Sequence, residues 1–264
     1  MSTQYNAIRA PYDELRKGYL SIIERENVRE AVAPYIKGAK VLELACGSGF
    51  YTTYLVEWGA SRVLAADISS VMLEEAQRAV DSAGFGPKVT LLEADCGKPE
   101  EYAGGPFQVV VGGWILNYAA NIEALTQTFR NIAINLEEGG VFIGVTPPPT
   151  NDPVAFYEAE NRVRPAPRGS GLLVSHSTGT VEDGVTVHRH ADTSAGVVDF
   201  DTYHLRRDTY ERAARAAGLQ GKFEWSTTKV PVDFLENPAG GASREELETY
   251  GTVPHYGILV ISKD

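Results

Sequence analysis

Cysteine is scarce. Only Cys46 and Cys96 occur in 264 residues, too few for the disulfide framework of a small secreted domain, and both read as soft packing residues. Long apolar runs are absent, and none approaches the ~20 residues a membrane helix needs. The N-terminal stretch MSTQYNAIRAPYDELRKGYL holds no apolar signal core. Basic residues are outnumbered, 24 Lys and Arg against 35 Asp and Glu, a formal charge of −11. No Lys/Arg run is longer than the pair Arg206-Arg207. Neither a nucleic-acid backbone nor an anionic membrane surface is therefore an expected partner. These absences predict a soluble, cytoplasmic protein, monomer or homodimer.

What is present is a hydrophobic fraction of 43%, enough for one large domain with an insertion. Residues 12–36 place Leu15, Tyr19, Ile22, Ile23, Val28 and Val32 at helical spacing and predict one or two helices that end by Pro34 and Gly38. An alternation follows. Strands are expected at 39–44, 62–66, 88–94, 107–113 and 139–147, with helices at 52–59, 69–84 and 121–136. Ser69 or Ser70 is the expected cap of the second of these helices. Strands alternating with helices indicate a doubly wound, mainly parallel sheet. After Pro147-Pro148-Pro149 the texture changes: LLVSHST, VTVHRHA and VVDFDTYHL read as antiparallel strands between Gly-rich turns. A helix at 210–218, capped by Asp208 or Thr209, and a last strand in HYGILVISKD close the chain. The segment PVDFLENPAGGASREELETYG reads as a surface loop or a contact region.

Ligands of open α/β sheets bind beyond the carboxyl ends of the strands. Three such ends carry acids here: Glu43, Asp67 and Asp95. Beside the first stand Gly47 and Gly49. A pyrophosphate is disfavoured beside acids, the third glycine of G-x-G-x-x-G is missing, and no G-K-[ST] follows. A ligand with an ammonium group, a sulfonium, a ribose diol and an adenine suits the three carboxylates. On this reading one glycine turns the chain and the other makes room for that ligand.

The ordered motifs VLELACGSGFYT, VLAADISSVMLEEAQ and LLEADC resemble those of the class I S-adenosylmethionine-dependent methyltransferases over roughly residues 39–146. The D-I-S-x-x-M-L style is similar to the ubiquinone/menaquinone C-methyltransferase-like branch. QYNAIRAPYD and TYHLRRDTYERAARAAG look closer to small-molecule enzymes that include the toxoflavin N-methyltransferases. The resemblance implies a seven-stranded Rossmann-like sheet in a single domain. Its parts would be a helical lid over 1–38, a cofactor-binding core over 39–147, a substrate-side β insert over 148–205 and a C-terminal helix with strands over 206–264. It implies S-adenosylmethionine as cofactor, with Asp67 on the ribose, Ile68 and Met72 flanking the adenine, and Asp95 and Cys96 at its amino edge. Glu43 would face the ammonium group, Tyr51 the methionine end, and Ala45, Gly47, Gly49 and Gly113 would lie against the ligand. It further implies a small-molecule methyl acceptor, as in secondary metabolism.

In GGWILNY, Trp114 and Tyr118 are candidates for the wall that orients a planar acceptor, with Asn117 as a polar handle. Tyr5 and Tyr12 are candidates for a lid. His204 or His176 is a candidate general base. His188 and His190 share one strand face, but with no Cys or acid pattern to complete a site, no metal is expected. The absence of an obvious dedicated base favours an amine or ring nitrogen, or a thiol, as acceptor, N-methylation first, with C-, O- or S-methylation of a different small molecule as the alternative. Two rival readings are a non-catalytic S-adenosylmethionine-binding protein and a nicotinamide oxidoreductase, the latter opposed by the missing glycine.

Overall fold

The computed structural model describes residues 9–163, 174–252 and 254–264; Tyr5, Leu172 and Leu173 lie outside them. Helices α1 (Arg9–Leu15) and α2 (Tyr19–Val32) open the chain and part at Arg16-Lys17-Gly18. Helix α2 turns Leu20, Ile23, Val28 and Val32 inward, the i, i+3, i+4 stripe of an amphipathic helix. Strands and helices then alternate: β1 (Lys40–Leu44), α3 (Phe50–Glu57), β2 (Arg62–Asp67), α4 (Ser70–Ser82), β3 (Val89–Glu93), β4 (Phe107–Gly113), α5 (Ile122–Asn135) and β5 (Leu136–Thr146). Ser69 caps α4 by accepting from the Met72 N–H, and Asn121 caps α5 by accepting from the Ala124 N–H.

Past β5 come α6 (Pro153–Val163) and an antiparallel meander of β6 (Val174–Val181), β7 (Gly184–Thr193) and β8 (Gly196–Leu205). The chain ends with α7 (Arg207–Ala216), β9 (Phe223–Thr227), α8 (Val232–Glu236), α9 (Arg244–Thr252) and β10 (Gly257–Ser262). The main sheet has seven strands in the order β3-β2-β1-β4-β5-β10-β9. Strands β1 to β5 pair in parallel, and β10 runs antiparallel to both its neighbours. Both faces are covered. Val41, Val63, Val109 and Val111 pack toward α2 and α3, and Leu42, Leu44, Val110 and Phe142 toward α5 and α7.

Two expectations change. The last long helix starts at Arg207, not 210, and neither Asp208 nor Thr209 caps it, since the Thr209 hydroxyl donates instead to Asp183 at 3.2 Å. The expected loop 231–251 carries two helices that bury Phe234, Leu247 and Tyr250. Helix α9 has a capping box: the Ser243 N–H donates to Glu246 Oε2 at 2.7 Å, and the Glu246 N–H donates back to Ser243 Oγ at 3.2 Å.

Candidate active site

A cavity, with about 870 Å³ of empty space when the open solvent at its mouth is included, lies beyond the carboxyl ends of β1, β2 and β4. Its first wall is Ala45, Gly47, Asp67 and Met72. Here β1 stops abruptly: Ala45 and Gly47 both adopt positive φ, 57° and 55°. An alanine there is strained, and such strain gathers at ligand sites. The Gly47 N–H donates to Asp67 Oδ2 at 2.8 Å and the Ser69 N–H donates to Oδ1 at 2.9 Å. Burial pushes the Asp67 carboxyl up, and these backbone donors pull it back down. A carboxylate has about four acceptor sites, so both oxygens keep capacity for ligand hydroxyls. A Cβ on Gly47 would meet nothing within 4 Å, the mark of open space.

Gly49 is different. It is left-handed too, φ 85°, but a Cβ there would come 3.0 Å from Ala76 Cα. Its missing side chain makes room for α4, not for a ligand, which corrects the expectation for the second glycine.

A second wall comes from the N-terminal helices, with Tyr12, Arg16 and Glu24. Arg16 and Glu24 form a bidentate pair, Nη1 to Oε2 at 3.2 Å and Nη2 to Oε1 at 3.1 Å. The guanidinium lies 3.8 Å over the Phe50 ring. Glu24 Oε1 also accepts from the Tyr51 hydroxyl at 2.6 Å. Neither Arg16 nor Glu24 was legible as a site residue, although Glu24 interrupts the apolar stripe of α2.

The third wall is Gly113, Trp114, Asn117 and Tyr118 after β4, with Arg189 of β7, Phe200 of β8 and Tyr256 before β10. Trp114 is the other non-glycine at positive φ among the described residues, 74°, and its ring meets Tyr256 edge-on at 4.9 Å. Asn117 is buried, and its Oδ1 has no partner.

Eight expected site residues stand off the cavity. Glu43 lies behind the loop and accepts from the Thr52 hydroxyl at 2.6 Å; burial raises its pKa to about 8. Tyr51 is held by Glu24 and packs its ring beneath Gly113. Ile68 and Gly49 lie outside the lining. Asp95 turns away, accepting from the Gly97 N–H at 3.1 Å and pairing with Lys98 at 2.8 Å. Cys96 is packed against the Ala66 carbonyl, and burial pushes its thiol up to about 12. His204 is buried between Phe156 and Tyr157, its Nε2 3.0 Å from the Pro148 carbonyl. Burial first, then the Arg189 charge, lowers its pKa to about 3, so it does not serve as a base near neutral pH. His176 is exposed on β6 and lines no part of the cavity.

The acids thought missing beside His188 and His190 are supplied across the strand pair. Asp201 and Asp199 of β8 sit 2.9 and 2.7 Å from the two His188 nitrogens, and Asp199 lies 3.6 Å from His190.

Residues 41–140 match the model of a methyltransferase domain. This core is similar to a methyltransferase domain over that span, less than half of the chain. An uncharacterized protein of Haemophilus influenzae is 30% identical over 124 residues, 46% of this chain. The chain spans about half, 48%, of that relative's length. Among solved structures, the S-adenosylmethionine-dependent methyltransferase of Mesorhizobium loti is 21% identical, with a TM-score of 0.58 over 89% of this chain and 96% of that one. The sugar N-methyltransferase KedS8 of Streptoalloteichus sp ATCC 53650 is also 21% identical, with a TM-score of 0.54 over 90% and 85%. The matched region 41–140 supplies the first wall of the cavity and the 113–118 segment; the N-terminal helices, the β meander and Tyr256 supply the rest. No helix among the described residues is long and apolar enough to cross a membrane.

Proposed function

We propose that this chain transfers a methyl group from S-adenosylmethionine to a nitrogen of a small, flat molecule. The observation that carries the reading is Asp67: a buried carboxylate, fixed by two backbone donors, at the rim of a cavity with room beside it for a second molecule. Its free acceptor sites suit the two hydroxyls of a ribose. Gly47 and Ala45 leave the backbone bare for close approach, and Met72 offers an apolar face to the adenine. The unpartnered Asn117 Oδ1 needs an N–H donor that the protein does not supply. When bound, the cofactor supplies a methyl group already activated by its sulfonium and departs as S-adenosylhomocysteine.

The chain's task is then orientation and exclusion of water, which are worth up to roughly 7–11 kcal/mol of barrier in favourable cases. The rings of Trp114, Tyr118, Phe200 and Tyr256 make a wall suited to a planar acceptor. The described lining contains no histidine, and its acids are already committed, Glu24 to Arg16 and Asp67 to the turn. An acceptor that arrives with a free lone pair, such as an amine or ring nitrogen, fits a site without a base. The sugar N-methyltransferase among the structural relatives supports the same choice.

Two measurements test this. Calorimetric titration with S-adenosylhomocysteine is expected to give binding that Asp67→Ala weakens roughly 30-fold, from the loss of ~2 kcal/mol of charge-assisted hydrogen bonding. Incubation with methyl-labelled donor and a panel of heteroaromatic amines and amino sugars is expected to yield labelled product. Unchanged affinity in Asp67→Ala, or thermal stabilisation by NAD(H) in place of S-adenosylhomocysteine, overturns the reading.

A further inference from the structure

Arg189 lies in the middle of β7, only 6% exposed, yet it reaches the cavity. It occupies an inward position of an alternating strand, in line with Val185, Val187 and Ala191. A buried guanidinium ordinarily has an acid beside it, because an uncompensated charge is costly out of water. Arg16, on the opposite wall, has Glu24. Among the described residues no carboxylate pairs with Arg189.

The acids of β8 are spent on the other face of the meander: the register sets Asp199 opposite His190 and Asp201 opposite His188, and Phe200 falls opposite Arg189. Arg189 Nε donates to the Thr202 hydroxyl at 3.3 Å, and Nη1 donates to the Ser175 hydroxyl. Both partners are neutral. They use two of the five guanidinium N–H groups and leave three, including both on Nη2. The Trp114 ring centre lies 5.9 Å from Arg189 Cζ. The result is a held, aimed, desolvated cation with donors to spare and a flat ring at its side.

We propose that Arg189 is the docking group for an oxyanion, a carboxylate or phosphate, borne by the methyl acceptor. The inference rests on the methyl-transfer reading and narrows it to acidic acceptors. A planar fork matches two oxygens of such a group. An acceptor that is cationic overall is repelled from this end of the cavity. One whose anion reaches Arg189 completes the ion pair that the protein leaves open, while its ring rests on Trp114 and its N–H can meet Asn117 Oδ1.

The test uses the full chain saturated with S-adenosylhomocysteine and titrated with indole-3-acetate and phenyl phosphate. The neutral counterparts are indole-3-acetamide and benzyl alcohol. At least one acid is expected to bind roughly tenfold or more tightly than its neutral counterpart, as a charge-assisted pair predicts. Which acid leads tells whether the group is a carboxylate or a phosphate. Arg189→Met is expected to abolish the preference and Arg189→Lys to retain part of it, with S-adenosylhomocysteine affinity unchanged in both. Equal binding of acid and neutral probe, failure of both acids, or a preference that survives in Arg189→Met overturns the proposal. If Arg189→Met fails to fold, the wild-type acid-to-neutral ratio and the Lys variant decide. The two readings fail separately. Acid binding without S-adenosylhomocysteine binding removes methyl transfer and keeps the anion site; the reverse removes the anion site alone.

Discussion

Two arginines face one cavity from opposite walls, and they differ in what surrounds them. Arg16, between α1 and α2, is clamped by Glu24, roofed by Phe50 and tied through Glu24 to Tyr51. Arg189, on β7, has among the described residues the hydroxyls of Ser175 and Thr202 and the Trp114 ring, but no acid. The first is an ion-paired network that holds the N-terminal helices against α3, although Arg16 Nε itself has no hydrogen-bond partner. The second is left open. A charge whose partner is internal serves the fold, and a charge whose partner is missing waits for something from outside.

Breaking the ion-paired network is expected to have the largest effect. Glu24→Ala strands Arg16 and removes the Tyr51 acceptor, so denaturant unfolding is expected to show a loss of about 3–5 kcal/mol. Arg189→Met removes a buried cation that no acid compensates. Its cost is the Ser175 hydroxyl left without Arg189 and the Thr202 hydroxyl left with only the Val187 carbonyl at 3.4 Å, offset by relief of charge burial, and stability is expected to stay within about 1 kcal/mol of wild type. Equal losses in the two variants would erase the distinction drawn between the walls.

The two glycines sharpen it on the cofactor side. Gly49→Ala forces a Cβ onto the Ala76 backbone at a left-handed position and is expected to cost roughly 2–4 kcal/mol. Gly47→Ala meets open space and is expected to cost only about 1 kcal/mol but to lower S-adenosylhomocysteine affinity more than Gly49→Ala does. Unfolding and calorimetric titration of both variants check the pair.

The smallest effect concerns pH. Glu43 has its folded pKa raised to about 8 from 4.5, by burial first and the Asp67 charge last, against the Thr52 hydrogen bond. A raised group contributes stability that is fully present below 4.5 and is lost as pH climbs through about 8. The wild-type Tm is therefore expected to fall relative to Glu43→Gln across that window; parallel curves would show that Glu43 is ionised in the fold.

Much of the core was legible because its signals are local. The βα alternation shows in periodicity, Ser69 stands where a cap belongs, and Asp67 follows a short apolar run. The capping box at Ser243 and Glu246 was equally local and was passed over because its segment is rich in Gly and Pro. Arg189 left a faint trace, a charged residue in the inward rank of an alternating strand. Nothing local shows that Ala45 and Trp114 adopt positive φ, because backbone strain is imposed by neighbouring elements.

From the chain alone came the order of the strands along the sequence, the carboxylates near three strand ends and the glycine-broken turn after β1. These depend on residues a few positions apart. Only the tertiary structure decided that Asp67 alone of the three acids lines the cavity, that Thr52 occupies Glu43 and Lys98 occupies Asp95, and that, among the described residues, Arg16 finds an acid while Arg189 does not. The reason is that a side chain's partner is chosen by elements brought together from far along the chain, and no local pattern records which of them arrive.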